Sequence, residues 1–117
     1  IMAITKVTSN VLSDDSVSYD KLGVEFTASS PLGSGTAIDW DVAQVFTKTL
    51  TTSPTAFTFT NDEVGMVKDL VISGEHTMTW PNGTKIITGT YDGSVPNLIQ
   101  VVKTAAGQYW LSISKEA

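Results

Sequence analysis

The chain has 117 residues, no cysteine, and seven basic against twelve acidic residues, for a formal charge of −5. That length suffices for one domain with one hydrophobic core, and the missing thiols exclude disulfides, thiolate metal sites and cysteine nucleophiles. All seven bases are lysines scattered singly from Lys6 to Lys115, so the arginine forks and basic clusters that grip phosphates are missing and no nucleic-acid partner is expected. Threonine and serine together make up about a quarter of the chain, which suits strands with one wet face. No apolar run approaches the roughly 20 residues of a membrane span and the N-terminus lacks the pattern of a signal peptide, so neither membrane insertion nor export is expected.

Residues 1–13 read as an N-terminal arm or edge strand. Ile4 and Lys6 alternate with Thr5 and Val7, neither face is strongly apolar, and such a segment gains more from pairing with a neighbour than from its own core. Ile4, Val7, Val11 and Leu12 are its candidate anchoring residues. Residues 14–117 read as a single β domain. A polar loop through Gly23 leads into a predicted strand, Val24–Thr27, and the breaker-rich run SSPLGSG from Ser29 to Gly35 predicts a loop.

From Thr36 the strand signal strengthens through TAIDW and QVFTKTLT, where Phe46, Lys48 and Leu50 point one way and Val45, Thr47 and Thr49 the other. After the turn Thr52-Ser53-Pro54, AFTFT places Phe57 and Phe59 on one face, and the two runs are expected to pair as antiparallel neighbours. MVKDLVIS and HTMTW follow, separated by Gly74, and Pro81-Asn82-Gly83-Thr84 predicts a tight turn into Lys85-Ile86-Ile87. The glycine- and proline-bearing stretch Thr88–Asn97 is a loop, and LIQVVKT with QYWLSIS, joined at Ala105-Ala106-Gly107, form a closing hairpin. No segment has helical periodicity over the length an amphipathic helix needs; Asp41–Gln44 suffice for one turn. About eight to ten short strands with turns between them predict an all-β fold, a small antiparallel β-sandwich or flattened barrel.

The chemistry-bearing residues are sparse. His76 is the sole histidine and no GxSxG elbow is present, so no catalytic residues are assigned and an enzyme is not expected. Asp39 and Asp41, flanking Trp40, have the spacing of a carboxylate pair but also that of turn carboxylates. Asp14 and Asp15 carry oxygens for calcium without the ordered spacing of a known loop, and neither a metal nor a cofactor is assigned. Tyr91 and Trp110 are the aromatic candidates for contact with a glycan or partner, because in the alternation around Tyr109 and Trp110 one ring must face away from the core.

An ordered set of short runs resembles a module of bacteriophage virion proteins. The runs are IDW at Ile38–Trp40, FTKTLT at Phe46–Thr51, FTFTN at Phe57–Asn61, HTMTWP at His76–Pro81, YDG at Tyr91–Gly93, NLIQVV at Asn97–Val102 and YWLSIS at Tyr109–Ser114. The opening MAITKVTSNVL is similar to the arms with which phage fibre and structural proteins attach to the particle. The resemblance implies a virion structural protein, assembled in the bacterial cytoplasm, with a sandwich that forms trimers and a major capsid protein or other virion protein as partner. The short length, without shaft repeats, points to a capsid decoration or head-fibre protein; the alternative is a tail-fibre module that binds a host surface glycan.

Overall fold

The computed structural model describes residues 17–117. The chain enters through a single 3-10 turn, Tyr19–Lys21, and one turn of α-helix, α1 (Val24–Thr27). Ten strands follow: β1 (Ser29–Pro31), β2 (Ala37–Asp39), β3 (Val45–Thr49), β4 (Thr55–Ala56), β5 (Thr58–Thr60), β6 (Val67–Ser73), β7 (Met78–Thr79), β8 (Thr84–Thr88), β9 (Asn97–Ala105) and β10 (Gln108–Lys115). The all-β expectation therefore holds.

The antiparallel sandwich or barrel does not. Five of the seven strand pairings are parallel, in a six-stranded sheet ordered β1-β3-β6-β9-β10-β8 and two short pairs, β2-β5 and β4-β7. Parallel neighbours require the chain to travel around and return before pairing. It does so as a winding β-solenoid: β1, β3 and β6 stack on one wall, while β2 under β5 and β4 under β7 build the opposite wall. The expected β3–β5 hairpin is accordingly absent. Phe57 and Phe59 do face the core, but their strands pair with β7 and β2.

Two further expectations change locally. Val24–Thr27 is a helical turn, because its residues sit outside the sheet, where Ala28 N–H donates to Val24 and no ladder partner is within reach. The first residues of the SSPLGSG run pair with β3 as β1, with Pro31 at the free edge of the sheet, a position a proline tolerates because it has no N–H to lose. The closing hairpin is as expected, β9 antiparallel to β10 across Gly107 at φ +66°. Residues 1–13, with Ile4, Val7, Val11 and Leu12, lie outside the described residues.

Alternation decides what is buried. Lys68, Leu70 and Ile72 of β6, Ile99 and Val101 of β9, and Tyr109, Leu111 and Ile113 of β10 face inward and meet Ile38, Trp40, Phe46 and Phe57 from the other turns. Each fully buried large side chain contributes roughly 1.5–3 kcal/mol. Aromatic edges order this core: Phe59 lies edge-on to Trp40 at 5.4 Å and to Tyr109 at 4.8 Å, and Trp80 stacks on Phe57 at 5.0 Å.

Lys68 is the exception in an apolar row. It is fully buried, its ammonium donates to the Glu25 carbonyl of α1, and it lies 5.6 Å from the centre of the Phe26 ring. Burial pushes its pKa down, against the attraction of Glu25 and Asp41. The helical turn thus seals the end of the inner row Lys68, Val101, Leu111, Ile86, whose members are successive cross-strand partners.

Candidate functional site

The other end of that row is open. Ile86 faces inward with Leu111, yet it is 54% exposed. The reason is a mismatch of walls. The main sheet continues past β6 through β9, β10 and β8, whereas the opposing wall stops at β7. A groove of about 810 Å³ occupies the unfilled place, between β7 with Met78 and Trp80 on one side and Ile86 of β8 on the other. Met78, by strand alternation, directs its N–H and C=O away from β4, because the carbonyls of its neighbours Thr77 and Thr79 accept from the N–H groups of Thr55 and Phe57.

The rim of the groove is polar and tightly held. Tyr91 donates its hydroxyl to the Gly74 carbonyl at 2.7 Å, and burial followed by the nearby Asp92 charge raises its pKa. Asp92 accepts from Ser94 at 2.6 Å and pairs with Lys115 at 3.4 Å; the Ser94 hydroxyl is the first cause of its lowered pKa. Asn97, fully buried, gathers this loop: its amide donates to the carbonyls of Asp92, Val95 and Ile72, and its oxygen accepts from Asp92 N–H.

Ser53 and His76 also meet here, with Ser53 Oγ 2.9 Å from His76 Nδ1. Sequence reasoning missed this contact, because the two residues belong to different turns of the solenoid. A serine on an imidazole is the beginning of a hydrolase triad, but a triad needs a third group to orient the ring. Among the described residues no carboxylate hydrogen-bonds to His76, and the Ser53 hydroxyl also accepts from Thr77 N–H at 3.2 Å. The trio works as a staple between the turn before β4 and the start of β7.

The remaining candidates separate. Asp39 accepts from Asp41 N–H at 3.0 Å and from Asn61 at 2.9 Å, and the Asn61 contact leads in lowering its pKa. It caps a turn at the end of β2 and does not face Asp41 across a cleft. Tyr91 lines the groove, whereas Trp110 stands on the outer face of the main sheet, 45% exposed, so the two aromatic candidates do not share a surface. Asp14 and Asp15 lie outside the described residues. Among the described residues no group of three acidic or histidine side chains converges, and no helix is long and apolar enough to cross a membrane.

The outer face around Trp110 forms a second surface. Cross-strand partners place Trp110, Val102 and Val67 in one row, flanked by Lys85, and Leu98 beside Val71 in another. Between the rows Gln100 donates to Asp69 at 2.9 Å. Trp110, Val67 and Leu98 are exposed, so the broad wall of the solenoid presents two apolar stripes with a polar stripe between them. No family model matches the chain, and neither curated proteins nor solved structures give a match.

Proposed function

We propose that this chain is a structural subunit of a larger particle, a bacteriophage capsid decoration or head-fibre protein that forms trimers and whose role is assembly rather than catalysis. The observation that carries the reading is the outer face of the main sheet, where Trp110, Val102 and Val67 lie side by side on strands whose opposite faces are core. A rigid wall with an exposed tryptophan at the end of an apolar row, beside Lys85, has the composition of an interface anchor. Its partner in this reading is the major capsid protein, and the phage address is what the ordered runs from IDW to YWLSIS imply. Tyr91 lines the groove while Trp110 stands on the outer face of the sheet, so the glycan-binding alternative has no joint aromatic platform.

Incorporation into particles tests the reading. Trp110→Asp is expected to leave the far-ultraviolet circular dichroism spectrum unchanged and to abolish binding of the purified chain to capsids lacking it. Equal binding of wild type and variant, or location of the chain away from the head by electron microscopy, would overturn the proposal.

A further inference from the structure

Asn82 and Gly83 form the exposed middle of the turn into β8. Thr84 closes that turn, its N–H donating to the Pro81 carbonyl at 3.2 Å and its hydroxyl to the same oxygen at 2.7 Å. The peptide group between Asn82 and Gly83 is left out of this closure. Among the described residues neither the Asn82 side chain nor the Gly83 N–H has a hydrogen-bond partner, so the two are free to turn toward each other.

Such a pair reacts with itself. The backbone nitrogen after an asparagine can attack the side-chain amide, and glycine permits the approach best because it has no Cβ in the way. The Gly83 nitrogen gives its proton to solvent base and bonds to Asn82 Cγ, and the side-chain nitrogen, protonated by solvent, leaves as ammonia. Water then opens the five-membered imide. Cleavage between the nitrogen and the side-chain carbonyl leaves aspartate, and cleavage at the main-chain carbonyl leaves isoaspartate, in which the backbone runs through Cβ. One water enters and one ammonia departs, with no oxidation or reduction. The comparable residues are restrained. Asn61 donates to Asp39 at 2.9 Å and precedes Asp62, while the buried Asn97 holds three carbonyls and precedes Leu98. Asp92-Gly93 has a suitable sequence, but the carboxylate accepts from Ser94 at 2.6 Å, and a Cβ on Gly93 would lie 2.3 Å from the Gly74 carbonyl, so that backbone is packed in place.

We propose that Asn82 converts spontaneously to isoaspartate and that the conversion releases β8 from β10. Gly83 carries the second half of the inference. Its carbonyl accepts from Tyr109 N–H at 3.0 Å, and it lies so near the Gly107 carbonyl that a Cβ would be 1.9 Å away. An extra methylene in the main chain just before Gly83 displaces both contacts, and Thr84 loses its place opposite Tyr109. β8 is the terminal strand of its sheet and pairs with β10 alone, so nothing else retains the end that has been freed. The strand that brings Ile86 to the groove is thus fixed in a new chain and loose in an aged one. This holds whether or not the chain belongs to a capsid.

Full-length chain aged in mildly alkaline buffer tests both halves. Peptide mapping by mass spectrometry is expected to find the Asn82 peptide converted to aspartate and isoaspartate forms, with the peptides that carry Asn61, Asn97 and Asp92 unchanged. In the isoaspartate form, amide exchange at Thr84–Thr88 should accelerate on the order of tenfold while β3 and β6 stay protected. Asn82→Gln, whose longer side chain disfavours ring closure, should survive the same incubation intact. Asn82→Asp, measured fresh, adds the charge without the extra methylene and should keep β8 protected. An Asn82 peptide that stays intact, or that converts no faster than the Asn61 peptide, would overturn the assignment of the site. Exchange at β8 that is equal in fresh and converted chain, or equally fast in fresh Asn82→Asp, would overturn the release of the strand.

Discussion

Tyr109 and Asp62 show how single ionisable groups hold the turn before β6. Lys103 pairs with the Asp62 carboxylate at 2.8 Å and the Tyr109 hydroxyl donates to the same carboxylate, all three being largely shielded. Burial pushes the Asp62 pKa up, and the hydrogen bonds from Lys103 and Tyr109 outweigh it, so the net direction is down. Tyr109 is pushed up to about 12, by burial first and then by Asp62. A folded pKa above the unfolded one stabilises fully below the unfolded value, 10.0, and that stability disappears as pH rises through about 12. Lys68 opposes this: its depressed pKa makes its contribution grow as pH rises toward its ordinary 10.5. The difference between wild type and Tyr109→Phe isolates the tyrosine, and the urea midpoint of wild type should fall more steeply than that of the variant between pH 10 and about 12. Equal slopes would show that the hydroxyl is not buried against Asp62. At acid pH the sign reverses, and Asp62→Asn should cost about 2 kcal/mol at neutral pH, a loss that shrinks as the wild-type carboxylate is itself protonated below 3.8.

At the scale of elements, β8 depends on two glycines. Gly83 and Gly89 flank it with φ near +88°, and a Cβ on either would lie 1.9 Å from a β10-side carbonyl, that of Gly107 or Ile113. Gly83→Ala should therefore lift β8 from β10, and amide exchange at Thr84–Thr88 should accelerate by more than tenfold while β3 and β6 stay protected. Uniform exchange across the sheet would mean that β8 unfolds only with the whole. The sequence contained these strands more plainly than their partners. Period-two alternation is local, so Phe46 and Leu50, Leu70 and Ile72, or the hairpin at Gly107 are legible from neighbours a few residues away. Whether QVFTKTLT pairs with AFTFT or with MVKDLVIS is decided by the turn between them and by which wall each joins, and the residues alone allow either. The groove was illegible for the same reason. Ile86 alternates like any core residue, and only the early end of the opposing wall at β7 exposes it. His76 lines the open side of the groove, but its contact with Ser53 crosses solenoid turns and left no local signature.

For the whole molecule, pairing between distant segments governs how the fold is reached. Of the seven pairings only β9 with β10 joins consecutive strands; the others close long loops first. Loop-closure entropy is then spent before the contacts that offset it, so folding should fall in the slow range for domains of this size, on the order of milliseconds to seconds. The β9–β10 hairpin is the expected nucleus: conservative changes at Ile99 or Leu111 should slow folding, and changes at Ile38 in β2 should chiefly speed unfolding. Stopped-flow refolding of these variants, each with its equilibrium stability, checks the order. A φ-value for Ile38 above that for Ile99 would reverse it.

The in-register parallel stacking of β3 on β6, Phe46 over Leu70, has a consequence for how such a chain can vary. Each full winding returns the backbone to the position from which it left, one strand spacing along. An added or deleted winding between these strands would change the height of the wall while leaving the β9–β10 hairpin and β8 at its far end unchanged. Length is therefore a free parameter of this architecture in whole-winding steps, and homologous chains that differ by one such insertion should superpose at both ends.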